Sequence, residues 1–459
     1  MNDDAPDEGE SLPVRTKAVY ALGDHTVNLG LASMLFVYPF FLTDVAGISA
    51  GVAGLVPLVG RIADAISDPL MGRLSDRTSW RTGRRRPFFL IGMVPFGVSF
   101  AALWWDTSAL GEETAAHFYM TLYVVFSLST TVVAVPYLAI IPEMTSSYDE
   151  RTSLNAWRAV GAILGALLAA AALQPLAAAF GGGARGYQGA GIVAGLWVMA
   201  VWPFVHRVTF ERPGTGTVPD AGLLESIRSL VRHAAFVRLT AVYILGRIAI
   251  DLTSTMFLYY FTWWLGRKED FGITLGLFLV CVALSMPFWN AIARRVDKHT
   301  IFLMGVGSWI LSQAGLFAAQ PDWPRAWIFL GAAIGGVGYA AADMIPWSML
   351  GEVVDEDELE TGQRREGVYF GLFMFLRKLG GASAVALALF VLELAGYRGG
   401  DAVTRQPDQT LLTIRVLTAA VPAGFVALAG IVALRFPITR ARHAEILAGL
   451  HARRKRDAA

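Results

Sequence analysis

Hydrophobic runs of about 20 residues, each long enough to cross a bilayer as a helix, recur along the whole chain between short polar stretches. They lie near residues 17–43, 49–73, 88–107, 113–142, 153–181, 186–208, 236–266, 271–294, 299–319, 325–351, 366–396 and 411–437. The pattern predicts twelve membrane-spanning helices. The longest break falls between the sixth and seventh runs. It holds "ERPGTGTVPDAG" (211–222) and then "LLESIRSLVRH" (223–233), which reads as a linker followed by an amphipathic helix lying on the membrane surface. The chain therefore divides into an N-terminal tail (1–16), a six-helix bundle (17–210), a linker (211–235), a second six-helix bundle (236–437) and a basic tail (438–459).

The two bundles repeat each other. "GRLSDRTSWRTGRRRPF" (72–88) follows the second run and "ARRVDKHTIF" (293–302) follows the eighth. Run four ends in "VPYLAIIPE" and run ten in "IPWSMLGE"; run five carries "RAVG" (158–161) and run eleven "RKLG" (377–380). Six spans repeated in parallel are the plan of a secondary transporter whose halves rock about a central site.

Composition agrees: 55% of the 459 residues are hydrophobic and 16% charged, against about 25% charged in soluble proteins. The net charge of +1 leaves no basic excess for nucleic acid. A single cysteine excludes a disulfide framework or a cysteine metal cluster. The acidic start "MNDDAPDEGESLPV" lacks the basic region and cleavage site of a signal peptide. Most of the 38 Lys and Arg fall in one set of alternate loops and in the C-terminal tail, which places both termini in the cytoplasm. No GxxxxGK[ST], HExxH, GxSxG or cofactor fingerprint is present, so the expectation is a carrier that is not ATP-driven, is not an enzyme and uses no cofactor.

Charges inside the runs carry the candidate chemistry, because a charged side chain at mid-bilayer costs about 2.5–3.5 kcal/mol unless it has a partner or a cavity. Asp64 and Asp68, in "RIADAISDPLMG" (61–72), share one helical face. Two close carboxylates raise each other's proton affinity and suit hard cations, so the pair can hold Na⁺ or H⁺; alternatively Arg61, one turn away, neutralises Asp64. Arg158 and Lys378 occupy matching places in the two bundles and can hold substrate oxygens, pair with the acids or form structural ion pairs. Arg247 and Asp251, four residues apart, read as a self-neutralising pair. Asp24 and Asp343 line a cavity or cap a kinked helix. Pro136 and Pro346 should kink their helices, and Trp347, just past the second, is a candidate for stacking on substrate. The polar segments "DERTS" (149–153) and "DEDELETGQRRE" (355–366) can form charge networks with 72–88 that gate the cytoplasmic side, or remain solvated loops. The candidate network residues are Asp76, Arg77, Arg84, Asp149, Glu150, Arg151, Asp355, Glu358 and Arg364.

Three blocks, "DAISDPLMGRLSDRT…GRRRPFFLIG" (64–92), "IPEMTSSYDERTSLNAWR" (141–158) and "IPWSMLGEVVDEDELETGQRREGVYFGLFMFLRKLG" (345–380), resemble the glycoside–pentoside–hexuronide:cation symporters of the major facilitator superfamily, over residues 16 to 450. The resemblance implies an all-α membrane fold of twelve helices in two pseudo-symmetric six-helix halves and uptake coupled to a monovalent cation. It implies Asp64, Asp68 and Thr131 as cation ligands, with Asp64 and Asp68 the Na⁺ ligands if sodium is the coupling ion. It places the substrate-contacting arginine at Arg158 and the family lysine at Lys378; with these, Asn28, Tyr137 and Trp347 complete the candidate substrate contacts. The departures matter: positions that hold sugar-binding acids in melibiose permease-like members are Asn28 and Ala134, a tryptophan place is Leu138, and Ser67 stands where Asn is frequent. The blocks also resemble sodium-coupled lysophospholipid symporters. The resulting expectation is a monomeric cation-coupled symporter of a bacterial-type inner membrane, importing a sugar or glycoside by alternating access, with a lysolipid as the alternative cargo. A non-transporting receptor would need a signalling domain or long loop, which this pattern lacks.

Overall fold

Lipid offers no hydrogen bonds to the backbone, so an apolar run long enough to span must satisfy its own amides, which a helix does. The computed structural model describes residues 11–78, 80, 83–145, 147–211, 230, 232–362, 365–400 and 403–457. Each of the twelve apolar runs lies on a helix. In chain order these are α1 (Val14–Phe36), α2 (Ala50–Arg77), α3 (Pro87–Ala102), α4 (Glu112–Ala139), α5 (Tyr148–Ala179), α6 (Gly183–Val208), α7 (Ala234–Tyr259), α8 (Asp270–Ala293), α9 (Lys298–Ala318), α10 (Arg325–Thr361), α11 (Glu366–Leu394) and α12 (Asp408–Ala433). A last helix, α13 (Arg440–Asp457), follows in the basic tail. Among the described residues nine helices are long and apolar enough to cross a membrane, or ten if α1 and its continuation Tyr38–Val45 count as one bent span. The shorter α3 is apolar throughout. Most of the 211–235 linker lies outside the described residues.

The local differences from the sequence expectation have causes. An unexpected sharp bend, 47°, comes between α1 and Tyr38–Val45, at the start of "YPF"; Pro136 and Pro346 lie within α4 and α10. Helix α10 runs ten residues beyond its apolar stretch, through the acidic segment, and stops at Gly362, whose φ of 75° lies in the left-handed region that glycine adopts without a side-chain clash.

The chain forms two compact units: Met1–Thr217 with Ala386–Thr410, and Val218–Val385 with Leu411–Ala459. In the first, α1 packs closely on α5 because Gly161 and Gly165 carry no side chain; a Cβ at either would strike the carbonyl oxygen of Ala21 or His25. Buried aromatic rings, Tyr38, Phe41, Trp104 and Tyr119 among them, fill its core with edge and stacked contacts. The C-terminal end of α11, from Ala386, belongs to this unit. Tyr397 donates a hydrogen bond to the buried Asp44 (2.5 Å), and the Glu393 carboxylate accepts the Gly51 amide at the start of α2. The second unit has its own continuous apolar core, from Phe236 and Leu239 through Ile301, Ile345 and Phe373 to Ile446 of α13.

Candidate functional site

In the first unit, α2 faces α4, and the acids of one meet hydroxyls of the other. Asp64 is buried. One of its oxygens lies 3.0 Å from Arg61 Nη1. The other faces Ser127 Oγ, which also lies 2.8 Å from the Gly60 carbonyl and donates to one of the two at a time. One turn further along, Thr131 Oγ1 donates to Asp68 at 2.7 Å, and Ser67 Oγ reaches Thr131 Oγ1 at 3.3 Å. The result is a ladder: two carboxylates a turn apart on α2 opposed by two hydroxyls a turn apart on α4. The structure brings Asp64, Asp68 and Thr131 into this one arrangement and forms the Arg61–Asp64 ion pair. The sequence reading missed Ser127. Its signal is its place four residues before Thr131, on the same helical face.

A second polar group joins α1, α4 and α5. Arg158 Nε is 2.5 Å from Asp24 Oδ2, with side-chain exposures of 18% and 11%, so the half-shielded arginine is paired with Asp24 and not with the acids of α2. Its Nη1 donates to Asn155 (2.9 Å), and its guanidinium lies 5.5 Å from the centre of the Tyr137 ring. Tyr137 is 1% exposed; its hydroxyl sits 2.7 Å from the Tyr20 carbonyl and 3.3 Å from Asp24. Tyr20 returns a hydrogen bond to the Tyr137 carbonyl at 2.7 Å. Tyr137 therefore locks α1 to α4. Asn28 donates to the Asp24 carbonyl at 2.9 Å, so Asp24, ambiguous in sequence, is the centre of this group.

At the end of α2 the arginine run folds back on its own unit. Arg85 bridges Asp76 (2.6 Å) and Glu143 (2.8 Å), and Arg84 also pairs with Glu143. The amides of Arg84, Arg85 and Arg86 donate to one carboxylate, Glu211, at 2.6, 2.7 and 2.9 Å. Glu143 and Glu211 were not among the expected network residues. Glu150 pairs with Lys17 at 2.8 Å rather than with 72–88, because the start of α5 lies against the start of α1. Arg151 donates to the Thr145 carbonyl (2.9 Å), while Arg77 and Asp149 are exposed.

In the second unit Arg247 and Asp251 pair at 2.7 Å, as the sequence indicates. Lys378 is half-buried on α11. Asp343, also half-buried, lies on α10 three residues before Pro346. Trp347 donates its indole N–H to Tyr243 (2.9 Å) and packs on Phe373 and Phe370, which ties it into the core. Asp355 lies 3.1 Å from His443 of α13, and the Glu358 carbonyl accepts the Gly362 amide at 2.9 Å. Arg364 lies outside the described residues.

Residues 19–440 match the model of a family described as MFS/sugar transport protein. The chain belongs to this family. It is 31% identical to an uncharacterised symporter of Synechocystis, over 98% of both chains. It is 29% identical to the putative glycoside/cation symporter YagG of Escherichia coli, over 90% of this chain and 89% of that one. It is 25% identical to the sodium-dependent lysophosphatidylcholine symporter 1 of Gallus gallus, over 95% and 89%. Its fold is that of the inward-open xylose transporter XylE of E. coli, with a TM-score of 0.67 at 12% identity over 95% of this chain and 98% of that one. The protein is thus an all-α, multi-pass membrane transporter of the major facilitator type.

Proposed function

We propose that this transporter is a cation-coupled symporter that imports a sugar or glycoside by alternating access, with the coupling ion at the ladder of Asp64, Asp68, Ser127 and Thr131. The observation that carries this is the ladder itself. Carboxylate and hydroxyl oxygens are the ligands a hard cation such as Na⁺ takes, and a proton can replace it on either carboxylate. In the arrangement described, Arg61 holds one Asp64 oxygen; an entering cation takes the place of that guanidinium. The coupling ion is cargo, carried inward with the substrate.

Substrate contact is assigned to Asn28 and Arg158 in the first unit and Lys378 in the second. Tyr137 and Trp347 support them from the packed interior. The glycoside reading follows the family and the relative named as a glycoside/cation symporter. A second cargo, a lysophospholipid, is favoured by Ala134 and Leu138, which offer a sugar no hydrogen bonds, and by the relative named for that transport. The arginine-rich loops support cytoplasmic termini, and one chain holds every residue of the scheme, which supports a monomer in the inner membrane.

The test is uptake into proteoliposomes of a labelled galactoside and a labelled lysophosphatidylcholine, with and without an inward Na⁺ gradient, for the wild type and Asp64→Asn. The expected outcome is gradient-driven uptake of one probe, lost in a variant that still inserts and purifies normally. Full gradient-driven uptake by Asp64→Asn sinks the ion-site assignment.

A further inference from the structure

Helices α7, α8, α9 and α10 of the second unit line a cavity that is open at its mouth. Its walls are mainly apolar, with the rings of Phe257, Phe278 and Trp309 among them. Two polar side chains on that wall have hydrogen-bonding capacity that no described residue uses.

The first is Gln313, 1% exposed. Its Nε2 donates to Thr253 Oγ1 at 2.8 Å, and Thr253 donates its only hydroxyl proton to the Thr418 carbonyl at 3.1 Å. With that proton engaged, Thr253 can only accept from Gln313, which fixes the amide with its nitrogen toward Thr253. The oxygen, Oε1, is left as an acceptor with no donor among the described residues. The second is Ser254, 6% exposed and next in sequence to Thr253. Its hydroxyl has no hydrogen-bond partner among the described residues. The other two hydroxyl side chains of helices α8 and α9 on the wall are satisfied: Thr274 donates to the Asp270 carbonyl and Ser312 to the Gly331 carbonyl, both at 2.7 Å.

Gln313 Oε1 is on this wall without a protein donor, so a guest that supplies one gains a hydrogen bond there that an apolar guest forgoes. No charged side chain lines the cavity, so the guest is neutral. Three aromatic rings favour a flat apolar body. A sugar ring, with a hydroxyl on nearly every carbon, would leave most of them unpaired here. We propose that this cavity is a binding site for a neutral aromatic ring bearing one O–H or N–H donor, the phenol class, with Gln313 Oε1 as acceptor and Ser254 as the second polar contact. This site is distinct from the ladder of the first unit and does not depend on which cargo is carried.

The experiment uses the full chain in detergent, with Cys281→Ser removing the native thiol and Leu275→Cys placing a new one on the cavity wall. The rate of its alkylation by N-ethylmaleimide is measured with phenol, toluene or benzoate present. Phenol is expected to slow it at least fivefold, toluene less than twofold and benzoate not at all; adding Gln313→Leu should reduce phenol to the effect of toluene. Equal protection by phenol and toluene, or protection by phenol that survives Gln313→Leu, overturns the donor-selective site, leaving an apolar crevice or a bound water as the partner of Gln313. If the Leu275→Cys protein misfolds or its thiol does not react, calorimetric titration of phenol into wild type and Gln313→Leu decides: at least tenfold weaker binding in the variant is expected, and equal binding overturns the proposal.

Discussion

Removing one member of the Arg158–Asp24 pair should damage the protein more than removing both charges. The two groups meet at 2.5 Å with side chains 18% and 11% exposed, deep enough that water replaces little of a lost partner. Asp24→Asn keeps the shape of the side chain and leaves Arg158 an uncompensated cation. Breaking a buried pair in this way costs about 3–5 kcal/mol. The neighbours soften this, since Arg158 keeps Asn155 and the face of Tyr137, so the lower end, about 3 kcal/mol, is the expected figure. The double variant, Asp24→Asn with Arg158→Gln, removes both charges and keeps neutral hydrogen bonds, and coupled residues recover about 0.5–3 kcal/mol relative to additive losses. Thermal unfolding in detergent, followed by fluorescence and size exclusion, should therefore rank the wild type first, the double variant second and each single variant last. At about 2–4 °C per kcal/mol for a unit of about 240 residues, Asp24→Asn should melt roughly 6–12 °C below the wild type. An unchanged midpoint for Asp24→Asn would refute the view that this pair anchors α1 to α5. A double variant as unstable as the worse single one would show that charge compensation is not the reason.

Two further predictions rest on contacts of the same unit. Gly161→Ala should destabilise the α1–α5 contact by about 1–3 kcal/mol, as overpacking does, because the new methyl meets the Ala21 carbonyl, a backbone atom that cannot swing aside; a variant that melts with the wild type would mean the helices are not in close contact there. Glu211→Ala should speed hydrogen exchange at the amides of Arg84, Arg85 and Arg86, which lose their shared acceptor. Unchanged exchange at all three would show that Glu211 does not hold that turn.

The helices were legible in the sequence because a bilayer imposes one requirement on every residue of a span, and each of the twelve apolar runs lies on a helix. The register of Asp64 against Asp68 was legible for the same reason, since four residues return to one face of any helix. What faces them was not. Ser127 is one small polar residue in a helix that also holds Ser129, Thr130 and Thr131, and nothing local says which of these turns toward α2. Arg158 stood out as a buried charge, but its partner, Asp24, lies 134 positions away, and pairing at that distance is set by helix packing. Trp347 and Tyr137 show a second thing the sequence does not carry, the neighbours their polar atoms bond. An aromatic residue beside a proline in a transporter invites a substrate role, yet each spends its polar atom on a neighbouring helix.

The hydrogen bonds from Tyr397 to Asp44 and from Gly51 to Glu393 bear on how this protein can be taken apart. Residues 386–410 pack with the N-terminal helices although they are made nearly 180 residues after α6 ends. A gene cut at the linker would thus yield a first fragment without the residues that cover Asp44 and cap α2. Co-expression of the two pieces, rather than either alone, is the condition under which the N-terminal unit can mature. In a ribosome-bound chain the same unit stays unfinished until α11 has emerged, which makes completion of the first half an event of late synthesis.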